Sequence, residues 1–502
     1  MDDRRNRPDM DARKARQLIL AAIAFSLAGG SPAFGSDEES PAKPEEWKVS
    51  EDTVEIGPEP SALSPLELRA VAQRRFIQLI DEKRYPEAIS VALRVVEISR
   101  EEFGEGSIEL VAPFDNLATV QMLSGDYVAA ENNYHASIEL IERNQGILAP
   151  RLINPLIGLG ATYNRTGLYD QGVEAFERAL RISHVNEGFY NFDQFKIRDG
   201  LTESHIGLQD LEEANFQQQI QVEINQRKLG LENPEIVPAM YKLARWYERS
   251  GQLEIARATY QGARRMLKDA HGKNDPALID ALVGISKTYE RQGLMAEAAG
   301  ALKKALAIVE TQPETDDLRR AELLVELGDL YTSFGKADSA EVRYVEAWQQ
   351  LSQDDAHLEQ REVYFREPLR VAGLPFSALE FADGSRRDMP ADKDLLRQGY
   401  VLVGYAVSDK GRVQDARIIE SEPVGLLDTR VVNTLGRSYY RPRLVDGNAV
   451  ATEDLLYRHD FFYLEDRQAD TGDEAGEPLE YPDGEDDEPS AGRLEYPDGP
   501  DG

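Results

Sequence analysis

The sequence predicts a mainly α protein: a stack of seven helix-pair repeats followed by a small α+β domain. Two observations predict it. Small residues recur at one interval along most of the chain, so that Ala88, Ala130, Gly172, Ala214, Ala256, Ala298 and Ala340 each stand 42 residues after the last. Beyond Asp388 the pattern changes to alternation, and a hairpin, a short helix and a final strand follow in order.

Other positions keep the same register. Twelve residues before the small residue stand Phe76, Ala118, Gly160, Thr202, Ala244, Ser286 and Gly328. One residue earlier comes Leu117, Leu159, Leu201, Leu243, Ile285 or Leu327, with Arg75 the exception. Nine before it, Tyr163, Tyr247, Tyr289 and Tyr331 alternate with Leu79, Gln121 and His205. Five before it are Gly125, Gly167, Gly251, Gly293 and Gly335, with Lys83 and Gln209 as exceptions. Four after it come Tyr134, Phe176, Tyr260, Leu302 and Tyr344, with Ala92 and Gln218 in units one and four. The first group makes one apolar stripe on a first helix, which the glycine ends. The second group makes a stripe on a second helix facing back. One pair cannot bury both stripes, so units must stack. Units one and four are the degenerate ones.

This pattern resembles the tetratricopeptide repeat, in the 42-residue variant of kinesin-light-chain-like arrays. The resemblance covers residues 64–357. It implies a right-handed α-solenoid whose inner groove, lined by the first helices, binds extended peptide or a partner helix.

A linker is expected over 358–387 and the small domain over 388–465. Gly399 to Val407 reads as a strand, Asp409-Lys410-Gly411-Arg412 as a tight turn, and Val413 to Ser421 as the second strand. Leu427, Val431, Val432 and Leu435 give Val424 to Arg437 helical spacing. A last strand follows Asp446-Gly447-Asn448 and ends at Phe461-Phe462-Tyr463. The domain resembles the TonB C-terminal domain. The resemblance rests on Gly399-x-Val401, Val407 to Val413 with Asp409 and Gly411, Ser421, Leu427-Asp428, Tyr440-x-Pro442, Asp446-Gly447 and Phe461. Arg443 departs from it, standing where the family usually has a small residue. The resemblance implies capture of a short segment of an outer-membrane transporter by strand addition. The matching residues are Leu455, Tyr457, His459 and Phe461.

The two ends read differently. Arg13, Lys14 and Arg16 precede the apolar run Leu18 to Leu27, and Ala33-Phe34-Gly35 follows. That is the order of a secretory signal peptide over 1–35. The run is half the roughly 20 residues a spanning helix needs. Residues 36–63 read as a disordered acidic spacer and 466–502 as a disordered acidic tail. The tail repeats Leu479-Glu480-Tyr481-Pro482-Asp483-Gly484 as Leu494-Glu495-Tyr496-Pro497-Asp498-Gly499.

The net charge of −34 disfavours nucleic acid and anionic lipid. With no cysteine, thiolate chemistry is excluded. The six histidines form no HExxH motif, and there is no GxSxG elbow or phosphate loop. No catalytic residue, cofactor or metal site is expected, and the protein reads as a non-enzyme with protein partners. The candidate groove residues are Arg165, Arg245, Arg249, Lys287 and Arg291, cationic positions on the first helices suited to an acidic peptide. The acidic tail is one such peptide in cis. The expected role is a periplasmic adaptor of a Gram-negative envelope in TonB-related transport or assembly, meeting membranes only through partners. The rivals are a TonB-type energy transducer anchored in the inner membrane by an uncleaved run, and a general envelope scaffold.

Intact-mass measurement on the protein from its host separates the first two. The expected chain begins at Ser36; a mass that retains residues 1–35 selects the anchored form.

Overall fold

Helix pairs fall where the 42-residue register puts them. The computed structural model describes residues 65–312, 316–373 and 396–464. The pairs are α1 (Pro65–Asp81) with α2 (Tyr85–Phe103), α3 (Val111–Ser124) with α4 (Tyr127–Gln145), and α5 (Ile153–Thr166) with α6 (Tyr169–Glu187). Next come α7 (Phe195–Gly207) with α8 (Leu211–Leu229), α9 (Val237–Arg249) with α10 (Leu253–His271), and α11 (Leu278–Arg291) with α12 (Met295–Glu310). The seventh is α13 (Asp317–Ser333) with α14 (Ala337–Leu351). Two compact units divide inside α13, between Leu330 and Tyr331.

In the N-terminal unit the small residues sit at the centre of each pair: Ala88, Ala130, Ala214, Ala256 and Ala298 have no exposed surface. Without a larger side chain there, the two backbones can close on each other. The first helix of pair two ends at Gly125, whose φ of 89° suits a residue without a Cβ. Lys83 and Gln209, the two exceptions in that column, adopt the same left-handed backbone, with φ of 56° and 61°. The degenerate units therefore keep the turn while losing the residue that makes it easy.

Stacking depends on a second glycine column that the register also contains. The aromatic rings of three second helices, Tyr134, Phe176 and Tyr260, lie against the next pair's first helix. A Cβ on Gly158 would stand 2.3 Å from the Tyr134 ring, one on Gly200 2.2 Å from Phe176, and one on Gly284 2.6 Å from Tyr260. Where no aromatic precedes, no glycine follows: after Ala92, Gln218 and Leu302 the same position holds Asn116, Lys242 and Glu326.

Repeat four replaces that packing with a polar seam. Arg198 is buried, and donates to Gln194 at 2.7 Å and to Gln217 at 2.8 Å. Asp199 accepts from Gln218 at 3.0 Å, Gln221 at 2.9 Å and Lys242 at 2.6 Å. Burial lowers the Arg198 guanidinium to about 10, with Glu213 and Glu223 opposing. One apolar cluster ends at Leu201 on α7 and another begins at Ala214 on α8, the two helices that carry most of the seam.

Amides at the ends of second helices tie successive turns together. Asn144 donates to the Gly106 carbonyl at 3.3 Å, Asn186 to Leu148 at 3.1 Å and Gln312 to Asn274 at 2.8 Å.

The C-terminal unit begins with the end of α13. After α14, the expected linker instead holds α15 (Leu358–Phe365) and strand β1 (Leu369–Ala372). Phe365 is what makes α15 part of the fold: it is buried and edge-on to Tyr344, with centroids 6.1 Å apart. The rest of the expected linker lies outside the described residues, as do the expected signal, spacer and tail. Strands β2 (Leu396–Val407), β3 (Val413–Glu422) and β7 (Thr452–Leu464) form an antiparallel sheet in the order β3-β2-β7. Helix α16 (Asp428–Gly436) covers one face, with Leu427, Val431 and Leu435 packed on Val401, Val403 and Phe461. It starts later than the spacing from Val424 predicts, because Gly425 takes a φ of 85° and Leu427 precedes the first turn. Strand β4 (Tyr439–Arg441) pairs with β1, and β5 (Arg443–Val445) pairs with β6 (Asn448–Val450).

This sheet domain is seated on α14 and α15. Lys410 reaches Glu341 at 2.6 Å and Asp338 at 3.2 Å. A Cβ on Gly447 would stand 3.2 Å from the Trp348 ring. Arg441, buried, donates to the Tyr364 carbonyl at 3.1 Å, a structural use of the motif between Tyr440 and Pro442.

Two alanine substitutions are expected to move stability in opposite directions. Gly200→Ala drives a methyl into the fully buried Phe176 ring and should cost about 1–3 kcal/mol. Gly300→Ala, inside α12 with nothing within 4 Å of its Cβ position, should stabilise by about 0.5–1 kcal/mol. Urea midpoints of the two variants check both signs.

Candidate binding surfaces

The groove residues are placed by their register on the first helices: Arg165 on α5, Arg245 and Arg249 on α9, Lys287 and Arg291 on α11. All five are exposed. Three of them are brought together around one carboxyl. Burial raises Glu248, while Lys287, Arg291 and Arg245 hold it down and Tyr260 donates to it at 3.2 Å. Arg165 stands two repeats away.

Neighbouring helices already engage two of the five cations. Lys287 lies 3.8 Å from Glu326 on α13, and Arg291 donates to the Glu248 carbonyl. Glu326 is itself raised by burial, with Lys287 and Arg319 opposing. A row of alternating sign therefore crosses three successive first helices. Lys287 and Arg291 serve that row, whereas Arg245 and Arg249 are exposed one turn apart on α9.

The column holding Asp115, Asp199 and Tyr241 supplies the polar groups of the same wall. Lys242 and two amides satisfy Asp199. Asp115 has one carboxyl oxygen buried without a hydrogen-bond partner. Burial pushes its carboxyl up to about 7, with Ser137 and Arg151 opposing. His205, on α7, is half-buried, and its Nδ1 is buried without a partner. Among the described residues no group of three or more metal-binding side chains is close enough to hold an ion.

The second surface is the edge of the three-stranded sheet. Strand β7 pairs with β2 along most of its length: Leu455 opposite Tyr405, Tyr457 opposite Val403, His459 opposite Val401 and Phe461 opposite Gly399. Among the described residues no strand pairs with its other side. Leu455, Tyr457, His459 and Phe461 share one face, and Phe461 enters the core under α16. The rings of Tyr457, His459, Phe461 and Tyr463 follow one another at 6.5, 6.2 and 6.2 Å. Leu456, Arg458 and Asp460 alternate with them and are exposed. These four side chains thus build the sheet's packed layer, and the edge itself offers backbone.

Family comparison follows this division of the chain. The model described as tetratricopeptide repeat matches residues 110–184 and 235–311, and leaves out the polar repeat between them. The model described as Gram-negative bacterial TonB protein C-terminal matches residues 392–457. The chain carries tetratricopeptide repeats and a TonB C-terminal domain. Among solved structures, it is similar to kinesin-light-chain-type TPR-like repeats from Podosopora anserina, at 18% identity over 41% of this chain and 97% of that one, with a TM-score of 0.36. It is similar to BtubC from P. vanneervenii at 19% identity, over 58% and 98% of the two chains, with a TM-score of 0.26. The similarity to pilF of Pseudomonas aeruginosa is 12%, over 52% and 99%, with a TM-score of 0.31. No curated protein matches. No described helix is long and apolar enough to cross a membrane.

The Asp115 carboxyl sets a pH dependence. It ionises near 3.9 in an unfolded chain and at about 7 when folded. Its folded value is the higher one, so its contribution is full below pH 4 and is lost as pH rises towards 7. Asp115→Asn is therefore expected to raise stability at pH 8 by roughly 2–4 kcal/mol more than at pH 4. Urea titrations of both proteins at the two pH values check it.

Proposed function

We propose that the protein is a periplasmic adaptor in TonB-related envelope transport or assembly. Its repeats take one protein partner along the first helices, and its TonB domain takes another by strand addition. The observation that carries this reading is the pairing of β7 on one side alone among the described residues. A strand edge presents backbone donors and acceptors to any extended segment that can lie beside it. Side chains then tune the choice of segment, and single substitutions on the exposed face of β7 change affinity little.

Seating on α14 and α15 supports the reading. Lys410, Gly447 and Arg441 hold the domain through its turns and through β4, on elements other than β7. The partner is an outer-membrane transporter or another envelope protein with a strand-forming segment near its own terminus. In the repeats, Arg245 and Arg249 are the cations that meet an acidic segment, since Lys287 and Arg291 already serve neighbouring helices.

Photo-crosslinking in the native envelope tests this. A crosslinking residue at Leu456 or Asp460 is expected to capture an envelope protein, with the adduct mapping to an extended segment. Capture of other copies of this chain alone, or adducts confined to the partner's folded domains, overturns the adaptor reading.

A further inference from the structure

We propose that two copies of the chain pair through a row of apolar loop tips on the repeats, the tips that follow α4, α6 and α8. The row uses neither the first helices nor β7, so its test is independent of the crosslinking result.

The row begins in the sequence. Ile147, Phe189 and Leu231 stand 42 residues apart, each directly after the left-handed glycine that ends a second helix. The same position holds Glu105 in the pair before and Lys273 in the pair after, so charge bounds the row at both ends. Leu148, Tyr190 and Phe192 widen it. These six side chains are between 37% and 72% exposed. Successive tips adjoin. Asn186, at the end of α6, donates to the Leu148 carbonyl at 3.1 Å, and Arg227, at the end of α8, lies 4.4 Å over the Tyr190 ring.

Buried amides hold the middle tip in place while its rings face water. Asn191 donates to the Gly188 carbonyl at 2.7 Å, and Gln194 donates to the Phe189 carbonyl at 2.8 Å. Both amides are buried, yet the loop they fix exposes Phe189, Tyr190 and Phe192. A surface fixed before binding loses little conformational freedom on binding.

Area points to an occupant. Side chains of this size, up to about 250 Å² each, leave on the order of 700 Å² of apolar surface in water along the row. The largest apolar patch of an ordinary monomer is about 300–600 Å². Each partner of a stable interface contributes about 800 Å².

Charge selects a second copy. The chain as a whole carries −34, but the windows that hold the tips, 143–151, 185–193 and 227–235, are neutral. Arg143, Arg151, Arg227 and Lys228 balance Glu187, Asp193, Glu232 and Glu235. Charges more than about 8 Å away are largely screened at physiological salt, so this local balance lets two acidic chains meet here. The first window has two arginines and no acid, and the second has two acids and no base. A two-fold axis between the tips after α4 and α6 sets each of these windows against its opposite on the other copy. Ile147 and Leu148 of one copy then meet Phe189 and Phe192 of the other. Arg143 already pairs with Glu139 on its own helix, which leaves exposed Arg151 to face Asp193.

Sedimentation velocity on the full chain, from low to high micromolar concentration, tests the proposal. The parent is expected to dimerise. Phe189→Asp, at a side chain 71% exposed, is expected to raise the dissociation constant about thirtyfold or more, with the urea midpoint unchanged. Arg151→Glu and Asp193→Arg are each expected to raise it about tenfold, and the double variant to return it to within about threefold of the parent. A chain that stays monomeric overturns the proposal, including one whose row binds phosphatidylcholine vesicles instead. So does a dimer that Phe189→Asp leaves intact, or a double variant that fails to restore pairing.

Discussion

Stacking in this protein is governed by how closely a ring can approach a backbone. Tyr134, Phe176 and Tyr260 each project from a second helix onto the following pair, and Gly158, Gly200 and Gly284 receive them. A ring against a helix backbone buries a large apolar area at one point and fixes the spacing of the two pairs. Neighbouring apolar residues can then fill a continuous interior. Where the ring is missing, the receiving glycine is missing too, and the gap is filled by polar side chains that satisfy one another. Lys242 shows this best: it takes the glycine's place opposite Gln218, and its ammonium bonds Asp199 and Gln221.

Most of the architecture was legible because period and spacing are local properties. The column from Ala88 to Ala340 predicted all seven pairs, and the degenerate units one and four sit where register alone put them. Lys83 and Gln209 explain why this works: the left-handed turn is imposed by packing on either side, so the position survives loss of its glycine. The receiving glycines carry the same 42-residue interval and were equally readable. A glycine contributes nothing to an apolar stripe, so the apolar columns do not reveal them. The glycines that end the second helices, Gly104, Gly146, Gly188, Gly230 and Gly272, escaped for the same reason.

The binding surfaces were only partly legible. Charge columns place Arg245, Lys287 and Arg291 near one another, yet one sequence column does not reveal what the next helix supplies. Glu326 and the Glu248 carbonyl come from neighbouring pairs, and they decide which cations are already engaged. In the C-terminal domain, alternation located β7 correctly and put its four named residues on one face. That the face is the packed one follows from α16, which the strand's own pattern does not specify. Helix α15 and strand β1 were hidden by their shortness: eight and four residues carry too little periodicity to separate from a linker. Their order comes from Phe365 against Tyr344 and from the ladder with β4.

The polar repeat has a mechanical meaning. A column of stacked modules loaded along its length carries the same tension through every joint, and the joint with the least cohesion parts first. Joints closed by a ring must expose apolar area to water as they part. The amide and charge contacts around Arg198 and Asp199 are short-ranged, and water can replace each as it opens. The joint between pairs four and five is thus one whose contacts water can take over singly as the pairs separate.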